Sequence, residues 1–309
     1  MRYYLRNVVV TVLIVILLTA ASGCGQPKTG GTESAAKPPS SPERPARIVS
    51  MAPSITEVLF ALGLGPRVVG VSDFCNYPPE ALTKKKIGGI VNPSIETMIA
   101  MNPDLVIGLP SPAQESLHHS LRVLGIRVFT FPNDTIADMY NMIQTIGKET
   151  STEKAADELV GRLKAKFSEV SGEVASQPRR KVMFVVGVDP LFVAGRGTFI
   201  DELIGMAGGK NIATDSISKY PQLGIEEVVA RAPEVILFTA LNLNPTPEQD
   251  AEARKLWEKY PSIPAVKEGR IYGLNADHVT RPGPRSGLGA EEIARAIHPE
   301  VYDGGEQTR

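Results

Sequence analysis

Cysteine, histidine and surplus charge are all scarce in this sequence of 309 residues. Its two cysteines, Cys24 and Cys75, are too few for a disulfide framework, and modification of one would leave the other without a partner. A net charge of −1 offers no electrostatic attraction to nucleic acid or to an anionic surface. The four histidines do not fall at zinc-like spacings, so we expect no bound metal ion.

Sequence motifs of catalysis are also missing. The chain contains no G-x-S-x-G nucleophile elbow, no P-loop and no H-E-x-x-H metalloprotease motif. The glycine-bearing run AGRGTFIDELIGMAGG lacks the G-x-G-x-x-G spacing after a strand that a dinucleotide site needs. We therefore expect a protein that is not an enzyme and has no cofactor of its own.

The N-terminus has the pattern of a lipoprotein export signal, which we assign to residues 1–23. Arginines precede an apolar run, Val8–Leu18, that is shorter than the roughly 20 residues needed to span a bilayer. Small residues then lead to Cys24, which we expect to carry the lipid. Residues 24–46 are rich in Gly, Pro, Ser and Thr and predict a flexible tether. The alternative is an ordinary cleaved signal with an incidental cysteine.

One internal duplication, at a constant offset of 130 residues (225 minus 95), organises the rest of the chain. Residues 95–109 read IETMIAMNPDLVIGL, and residues 225–239 read IEEVVARAPEVILFT. Each copy predicts a short helix, a proline stop and a buried strand. Solenoid repeats are about 20–50 residues long, so this wider spacing favours two similar α/β lobes with a cleft between them. Each copy has a glutamate at the same place, Glu96 or Glu226.

Strand and helix patterns alternate along the chain, which predicts parallel sheets covered on both faces. Ser54 and Glu57 form a predicted capping box for the first helix. Asn92-Pro93 is the predicted start of the helix in the first repeat copy. A further predicted capping box, Thr150–Glu153, precedes a long amphipathic helix.

The predicted domains are an N-terminal α/β lobe (47–149), a linking helix (150–177) and a C-terminal α/β lobe (178–309). The apolar stripe of the linking helix comprises Ala156, Val160, Leu163, Phe167, Val170 and Val174. Because one rigid helix restricts hinge closure more than several loose strands do, we expect only small motions between the lobes. Asn242–Asp250 is a predicted polar loop in the second lobe.

Four stretches carry a family pattern: RIVSMAPSITEVLFALGLGPRVVGVSDFCNYPPEA, GGIVNPSIETMIAMNPDLVIG, AGRGTFIDELIGMAGGKNI and RIYGLNADHVTRPGPR. Together they resemble ABC-importer substrate-binding lipoproteins of the class whose lobes are joined by one long helix. That class receives vitamin B12, ferric siderophores or haem, and the resemblance is nearest to cobalamin receptors. It implies two Rossmann-like α/β lobes, a ligand cleft between them, and a monomer that works with an ABC permease dimer and its ATPase subunits.

The resemblance also implies site residues. One glutamate on each lobe docks on the permease in this class, and the matching positions are Glu96 and Glu226. A carboxylate in the first turn of a helix is favoured by the helix dipole, although each glutamate alone could be an ordinary solvated residue. The resemblance places Phe74, Ile90, Leu109, Tyr220 and Asp277 in the ligand cleft, with Ile90 and Leu109 at positions where such receptors can carry tryptophan. Their residue types and positions make Phe192, His278 and Arg281 further candidates.

The ligand implied is cobalamin or another corrinoid, a large and mostly rigid disc suited to apolar walls with a few polar contacts. The alternative is a ferric siderophore or haem. In that case His278 could contact a metal centre within the ligand, and Arg281 and Arg285 could meet its anionic groups. These arginines could equally hold a proline-rich turn. A membrane-tethered ligand sensor is a further alternative, because the same sequence pattern would serve it.

Overall fold

The computed structural model describes residues 44–239 and 247–303. Cys24, the predicted export signal and nearly all of the predicted tether lie outside these ranges. None of the helices within the described ranges is both long and apolar enough to cross a membrane.

The first sheet is built from short, mostly apolar segments. Its strands are β1 (Ile48–Ser50), β2 (Val68–Val71), β3 (Lys85–Lys86), β4 (Leu105–Gly108) and β5 (Arg127–Thr130). They are all parallel, in the order β3-β2-β1-β4-β5, which is the order of a doubly wound Rossmann sheet without its sixth strand. Successive residues of β4, Leu105 and Val106, belong to different core clusters, so both faces of the sheet are covered.

Helices connect these strands, and together they form what we call the N-lobe. The helices are α1 (Pro53–Ala61), α2 (Ile95–Ile99), α3 (Glu115–Val123) and α4 (Ile136–Thr150).

The second sheet consists of β6 (Arg180–Val188), β7 (Leu191–Val193), β8 (Gly209–Asn211), β9 (Val235–Thr239) and β10 (Ile271–Leu274). Strands β10, β9 and β6 are adjacent and parallel, and β8 runs parallel to the start of β6. Strand β7 pairs antiparallel with the end of β6.

The C-lobe is this sheet with its helices. Those helices are α6 (Phe199–Met206), α7 (Ile225–Arg231), α8 (Pro247–Glu258), α9 (Pro264–Lys267), α10 (Ala276–Val279), α11 (Ser286–Ile297) and α12 (Pro299–Asp303).

One long helix, α5 (Glu153–Glu173), links the two lobes, which confirms the predicted fold class. Its 21 residues make a rod of about 32 Å, shorter than the predicted span 150–177. Every residue of the predicted apolar stripe is buried. A single core cluster contains Ile48 of the first sheet, Phe167 of α5 and Val182 of the second sheet. The lobes therefore share one apolar core along the linking helix.

The duplication corresponds to two matching structural units, α2 with β4 and α7 with β9. In both units the chain leaves the helix through a residue of positive φ just before the proline, Asn102 (φ 45°) and Ala232 (φ 51°). The non-glycine residue at a left-handed position recurs at the same offset of 130 residues. The predicted helix–proline–strand repeat is thus confirmed down to its backbone turn.

The capping box predicted for the first helix is wrong. Helix α1 begins after Ala52 and has no side-chain cap, while Ser54 and Glu57 are both buried within it. The Glu57 carboxylate pairs with Arg285 of the C-lobe, 228 residues away, instead of with a nearby backbone N–H. A long-range ion pair has replaced the local hydrogen bond that the sequence pattern indicates.

Two other predicted helix starts are also wrong. Helix α2 is capped by Ser94, whose Oγ accepts a hydrogen bond from Thr97 N at 3.1 Å, so Asn92-Pro93 lies before the cap. Thr150 is the last residue of α4, and its hydroxyl donates to Ile146 O at 2.6 Å. No capping box forms at Thr150–Glu153, because the preceding residues are already helical.

Only part of the predicted polar loop Asn242–Asp250 lies within the described residues. Residues 242–246 lie outside the described residues. Residues 247–250 form the first turn of α8, so the loop prediction is wrong there. Pro247 at the first helical position suits a helix start, because its missing N–H would have no helical partner.

Candidate docking surface and ligand cleft

The two glutamates of the duplication occupy matching helix positions. Glu96 is the second residue of α2 and Glu226 the second residue of α7, and both are exposed. Ser94 Oγ donates to Glu96 Oε2 at 3.2 Å. Glu227, beside Glu226, is tied to Arg231 at 2.6 Å. Within the described ranges neither Glu96 nor Glu226 forms an ion pair, so both carboxylates are available to a partner.

The N-lobe residues predicted to line the ligand cleft follow the carboxyl ends of its strands, the edge at which open α/β sheets bind ligands. Phe74 lies in the loop after β2 and is 54% exposed. Ile90 is half-buried close by, and its carbonyl accepts a hydrogen bond from Gln114 Nε2. Leu109 directly follows β4 and packs against the main core. The structure thus places all three at one edge of the sheet.

In the C-lobe, the two segments that carry the aromatic residues Phe192 and Tyr220 run beside each other. Phe192 in β7 forms a bridge with Gln222, and Val193 N donates to Pro221 O at 3.1 Å, so the segment around Tyr220 runs beside β7. Phe192 is 37% exposed and Tyr220 is 46% exposed. Partial burial raises the pKa of the Tyr220 hydroxyl above its ordinary value, so the phenol stays neutral and can donate.

Among the described residues, two groups of charged and polar side chains make contacts between the lobes. In the first, Lys219 Nζ of the C-lobe lies 2.7 Å from Asp134 Oδ2 of the N-lobe. Both side chains are more than one-third exposed, so this pair contributes little to stability. Nearby, Ile136 N donates to Glu202 Oε2 at 2.6 Å.

The second group is a buried cluster of charges, which we call the interlobe ion cluster. It consists of Glu57 and Asn76 from the N-lobe and Asp277, Arg281 and Arg285 from the C-lobe. Arg285 donates to both carboxylate oxygens of Glu57, at 2.6 and 2.9 Å, and to Asp277 Oδ2 at 3.3 Å. Arg281 Nη1 donates to Asn76 Oδ1 at 2.7 Å and lies 3.8 Å from Glu57 Oε1.

Burial makes these ion pairs necessary to the carboxylates. Glu57 is 3% exposed and Asp277 is 7% exposed, so each carboxylate has lost its water and depends on the arginines. Burial opposes the charge of Arg285, but the hydrogen bonds that Arg285 donates to Glu57 and then to Asp277, with the charges of these carboxylates, outweigh it and leave the pKa of Arg285 above its ordinary value. The Arg285 guanidinium also lies 4.2 Å from the centre of the Tyr77 ring, a cation–π contact.

His278 is held by an acidic neighbour. Its Nδ1 lies 2.5 Å from Glu292 Oε1, and Glu292 Oε2 also accepts from Asn275 N at 3.2 Å. Glu292 therefore fixes the imidazole beside Asp277 through one of its two ring nitrogens. Within the part of the chain that the structure describes, no group of three or more His, Cys, Asp or Glu side chains is arranged to hold a metal ion.

The family model for periplasmic binding proteins matches residues 48–278, about three quarters of the chain. The chain belongs to this family. It is 34% identical over 268 residues to the uncharacterized ABC transporter substrate-binding lipoprotein YvrC of Bacillus subtilis strain 168, covering 84% of this chain and 82% of that one.

Two solved structures of related proteins superpose closely. One is the periplasmic vitamin B12 binding protein BtuF of Vibrio cholerae, with a TM-score of 0.72 and 25% identity, covering 82% of this chain and 97% of BtuF. The other is the periplasmic haem-binding protein RhuT of Roseiflexus sp. RS-1, with a TM-score of 0.73 and 28% identity, covering 82% and 98%.

Family membership defines the role in outline. This periplasmic binding protein is an extracytoplasmic substrate-binding protein of an ABC importer and not an enzyme. Proteins of this kind bind a small ligand and work with permease and ATPase components.

The sequence missed part of the site. Asp277 and Arg281 were assigned as ligand contacts, but in the structure they also belong to the interlobe ion cluster. Glu57 and Tyr77 were not assigned to the site at all. The one signal for Glu57 was its place in an apolar helix, where a buried carboxylate needs a cationic partner; the RPGPR run supplies that partner.

Proposed function

We propose that this protein captures cobalamin or a related corrinoid in the cleft between its lobes and delivers it to an ABC permease dimer with its ATPase subunits. The protein does no chemistry on the ligand. The observation that carries the delivery role is the pair of exposed glutamates at identical positions of two duplicated units, which form no ion pair with any other described residue. Two such carboxylates on two similar lobes match a partner with two-fold symmetry.

The side chains around the cleft support a corrinoid. Phe74 of the N-lobe and Phe192 and Tyr220 of the C-lobe expose large apolar surfaces, which suit the faces and edges of a flat macrocycle. Ile90 and Leu109 add aliphatic surface on the N-lobe side. The named function of the Vibrio cholerae BtuF relative, vitamin B12 binding, agrees with this ligand.

Haem or a ferric siderophore is the second candidate, favoured by the likeness to the haem-binding RhuT. His278 could then approach a metal centre, and Arg281 an anionic group. Against this, Arg281 and Arg285 are already paired with Glu57 and Asp277, so neither offers a free cation. We therefore rank an uncharged corrinoid first.

We also propose that Cys24 anchors the protein to the membrane through a lipid. The similarity to a relative named as a lipoprotein supports this. A Cys24→Ser variant should leave the membrane fraction and appear in the soluble one, as judged by fractionation and immunoblotting. Retention of the variant in the membrane would contradict lipid anchoring at this residue.

The delivery role is tested by changing both glutamates. Glu96→Ala/Glu226→Ala should abolish uptake of labelled cobalamin in cells that have no other copy, because docking is lost. Ligand affinity and the unfolding midpoint should be unchanged, because both side chains are exposed. The matched control is Glu115→Ala/Glu153→Ala, two exposed acidic residues in the first turns of α3 and α5. Normal uptake by the first double variant would refute the docking pair.

A further inference from the structure

The interlobe ion cluster contains an acceptor with no donor. Asp277 is 7% exposed, and its Oδ1 is buried without a hydrogen bond in the described part of the chain. Arg281 Nη2 lies 2.9 Å away, which is an ion-pair distance but lacks hydrogen-bond alignment. Buried polar atoms are nearly always satisfied, so this oxygen is suited to an N–H group that arrives with a ligand.

The cluster lies beside the side chains assigned to the ligand. Asn76 and Tyr77 belong to the same loop as Phe74, which follows the carboxyl end of β2. Asp277 lies three residues after the end of β10, at the corresponding edge of the other sheet. A ligand bound between the lobes at these edges would therefore border the cluster, and its N–H group would enter the buried space at Asp277 Oδ1.

The charges of the cluster cancel. Glu57 and Asp277 contribute two negative charges, and Arg281 and Arg285 contribute two positive ones. Glu57 is the residue that makes this balance, since it receives both donors of Arg285 and lies within 3.8 Å of Arg281. A carboxylate entering here would meet no surplus cation and would face the Asp277 charge at low dielectric.

Two lysines at neighbouring positions do not change this balance. Lys219 is paired with Asp134 across the lobes at 2.7 Å. Lys86 donates to the carbonyl oxygens of Cys75 and Ser72 at 3.0 and 3.4 Å, which directs its ammonium group to the backbone.

We propose that Glu57 determines specificity: by neutralising the arginines, it makes the cluster accept an uncharged carboxamide at Asp277 Oδ1 and reject the corresponding carboxylate. Glu57 does not touch the ligand and acts through Arg285 and Arg281. This inference rests on the proposed corrinoid function. Corrinoids carry several peripheral carboxamides, whereas haem carries carboxylates, so the same residue separates the two ligand classes.

The test uses ligands that differ by one charge. The full-length protein is titrated calorimetrically at pH 7 with cyanocobalamin and with its b-, d- and e-monocarboxylic acids, in each of which one carboxamide has become a carboxylate. We expect the wild type to bind at least one acid about ten-fold more weakly than the amide or worse. Glu57→Gln leaves one uncompensated positive charge. It should reduce the amide-to-acid affinity ratio to about two-fold or reverse it.

A double variant separates charge from structure. Glu57→Leu/Arg285→Met removes one charge of each sign, so the amide-to-acid ratio should return to the wild-type value. A purely structural role predicts no such return, and it would weaken amide and acid binding equally in Glu57→Gln. Glu115→Gln, at a carboxylate that is 70% exposed, is the matched control and should bind like the wild type.

The outcomes distinguish this inference from the proposed function. If the wild type binds no corrinoid, the proposed function itself fails. If it binds cyanocobalamin and all three acids equally, or if Glu57→Gln leaves the ratio unchanged, the inference is overturned while corrinoid binding stands. Should Glu57→Gln fail to fold, Asp277→Asn keeps the acceptor oxygen and removes one charge. The Asp277→Asn variant should lower the amide-to-acid affinity ratio as Glu57→Gln is expected to do. An unchanged ratio would overturn the inference.

Discussion

Replacing Phe167 in the middle of α5 by alanine should destabilise both lobes in one step. The side chain is 4% exposed and belongs to the core cluster that also contains Ile48 of the N-lobe and Val182 of the C-lobe. Loss of a buried aromatic ring removes transfer free energy and leaves a cavity, which together cost about 3–5 kcal/mol. At about 2–4 °C per kcal/mol for a chain of this size, the unfolding midpoint should fall by about 6–20 °C.

The assay compares two probes of the same unfolding. Far-UV circular dichroism reports both lobes, and fluorescence of Trp257, the single tryptophan, reports the C-lobe. We expect the two curves to coincide and to shift together in Phe167→Ala. Ser168→Ala, on the exposed face of the same helix, should change the free energy of unfolding by less than about 0.5 kcal/mol. Separate transitions, or a shift of only one, would refute a shared core.

Three further variants test the site and its support. Phe74→Ala should weaken cyanocobalamin binding about ten-fold in calorimetry and leave the unfolding midpoint unchanged, because the ring is largely exposed. A hydrogen bond from Lys166 is the main cause of the lowered pKa of the Glu291 carboxyl, so this contact stabilises the fold above the ordinary pKa of about 4.3 and is lost as pH falls below it. Glu291→Gln should flatten the acid limb of stability by at most about 1 kcal/mol in pH-dependent urea unfolding. Gly289→Ala should cost about 1–3 kcal/mol in the same assay at neutral pH, because its Cβ would overlap the carbonyl oxygen of His278.

Each of these variants has a matched control. Val123→Ala, at an exposed position of α3, should bind cyanocobalamin as the wild type does. Glu169→Gln removes the other carboxylate partner of Lys166, which is 55% exposed and screened by solvent, so the acid limb should keep its slope. Gly161→Ala, with open space around it on α5, should stabilise by about 0.5–1 kcal/mol. If any control shows the full effect of its variant, the contact proposed at that site is wrong.

Local patterns predicted the elements of the fold, and contacts distant in sequence decided what the patterns could not. The repeat and the stripe of α5 depend on spacing within one element, and both are confirmed. The capping box at Ser54 failed because Glu57 pairs with an arginine 228 residues away. The boundary at Thr150 failed because α4 precedes it directly. Helix α4 has its own capping box, formed by Thr135 and Asp138, which the sequence analysis did not include.

The candidate site also has a part that the sequence predicts and a part that depends on the packing of the two lobes. Exposure of Glu96 and Glu226 follows from their place in the first turns of amphipathic helices, which a sequence reveals. The pairing of Glu57 with Arg285 depends on how the two lobes meet, and no spacing in the chain encodes that meeting. A resemblance can assign Asp277 and Arg281 to a cleft, but only the packed lobes reveal that Glu57 neutralises the arginines.

The most direct test of the central claim is a calorimetric titration of the full-length protein with cyanocobalamin, haem and a ferric siderophore at one pH and salt concentration. We expect one-to-one binding of cyanocobalamin at least about ten-fold tighter than that of either iron ligand, because the cluster has no free cation. No binding of cyanocobalamin together with tight binding of haem or the siderophore would contradict the corrinoid assignment. The assigned ligand would then be an iron compound.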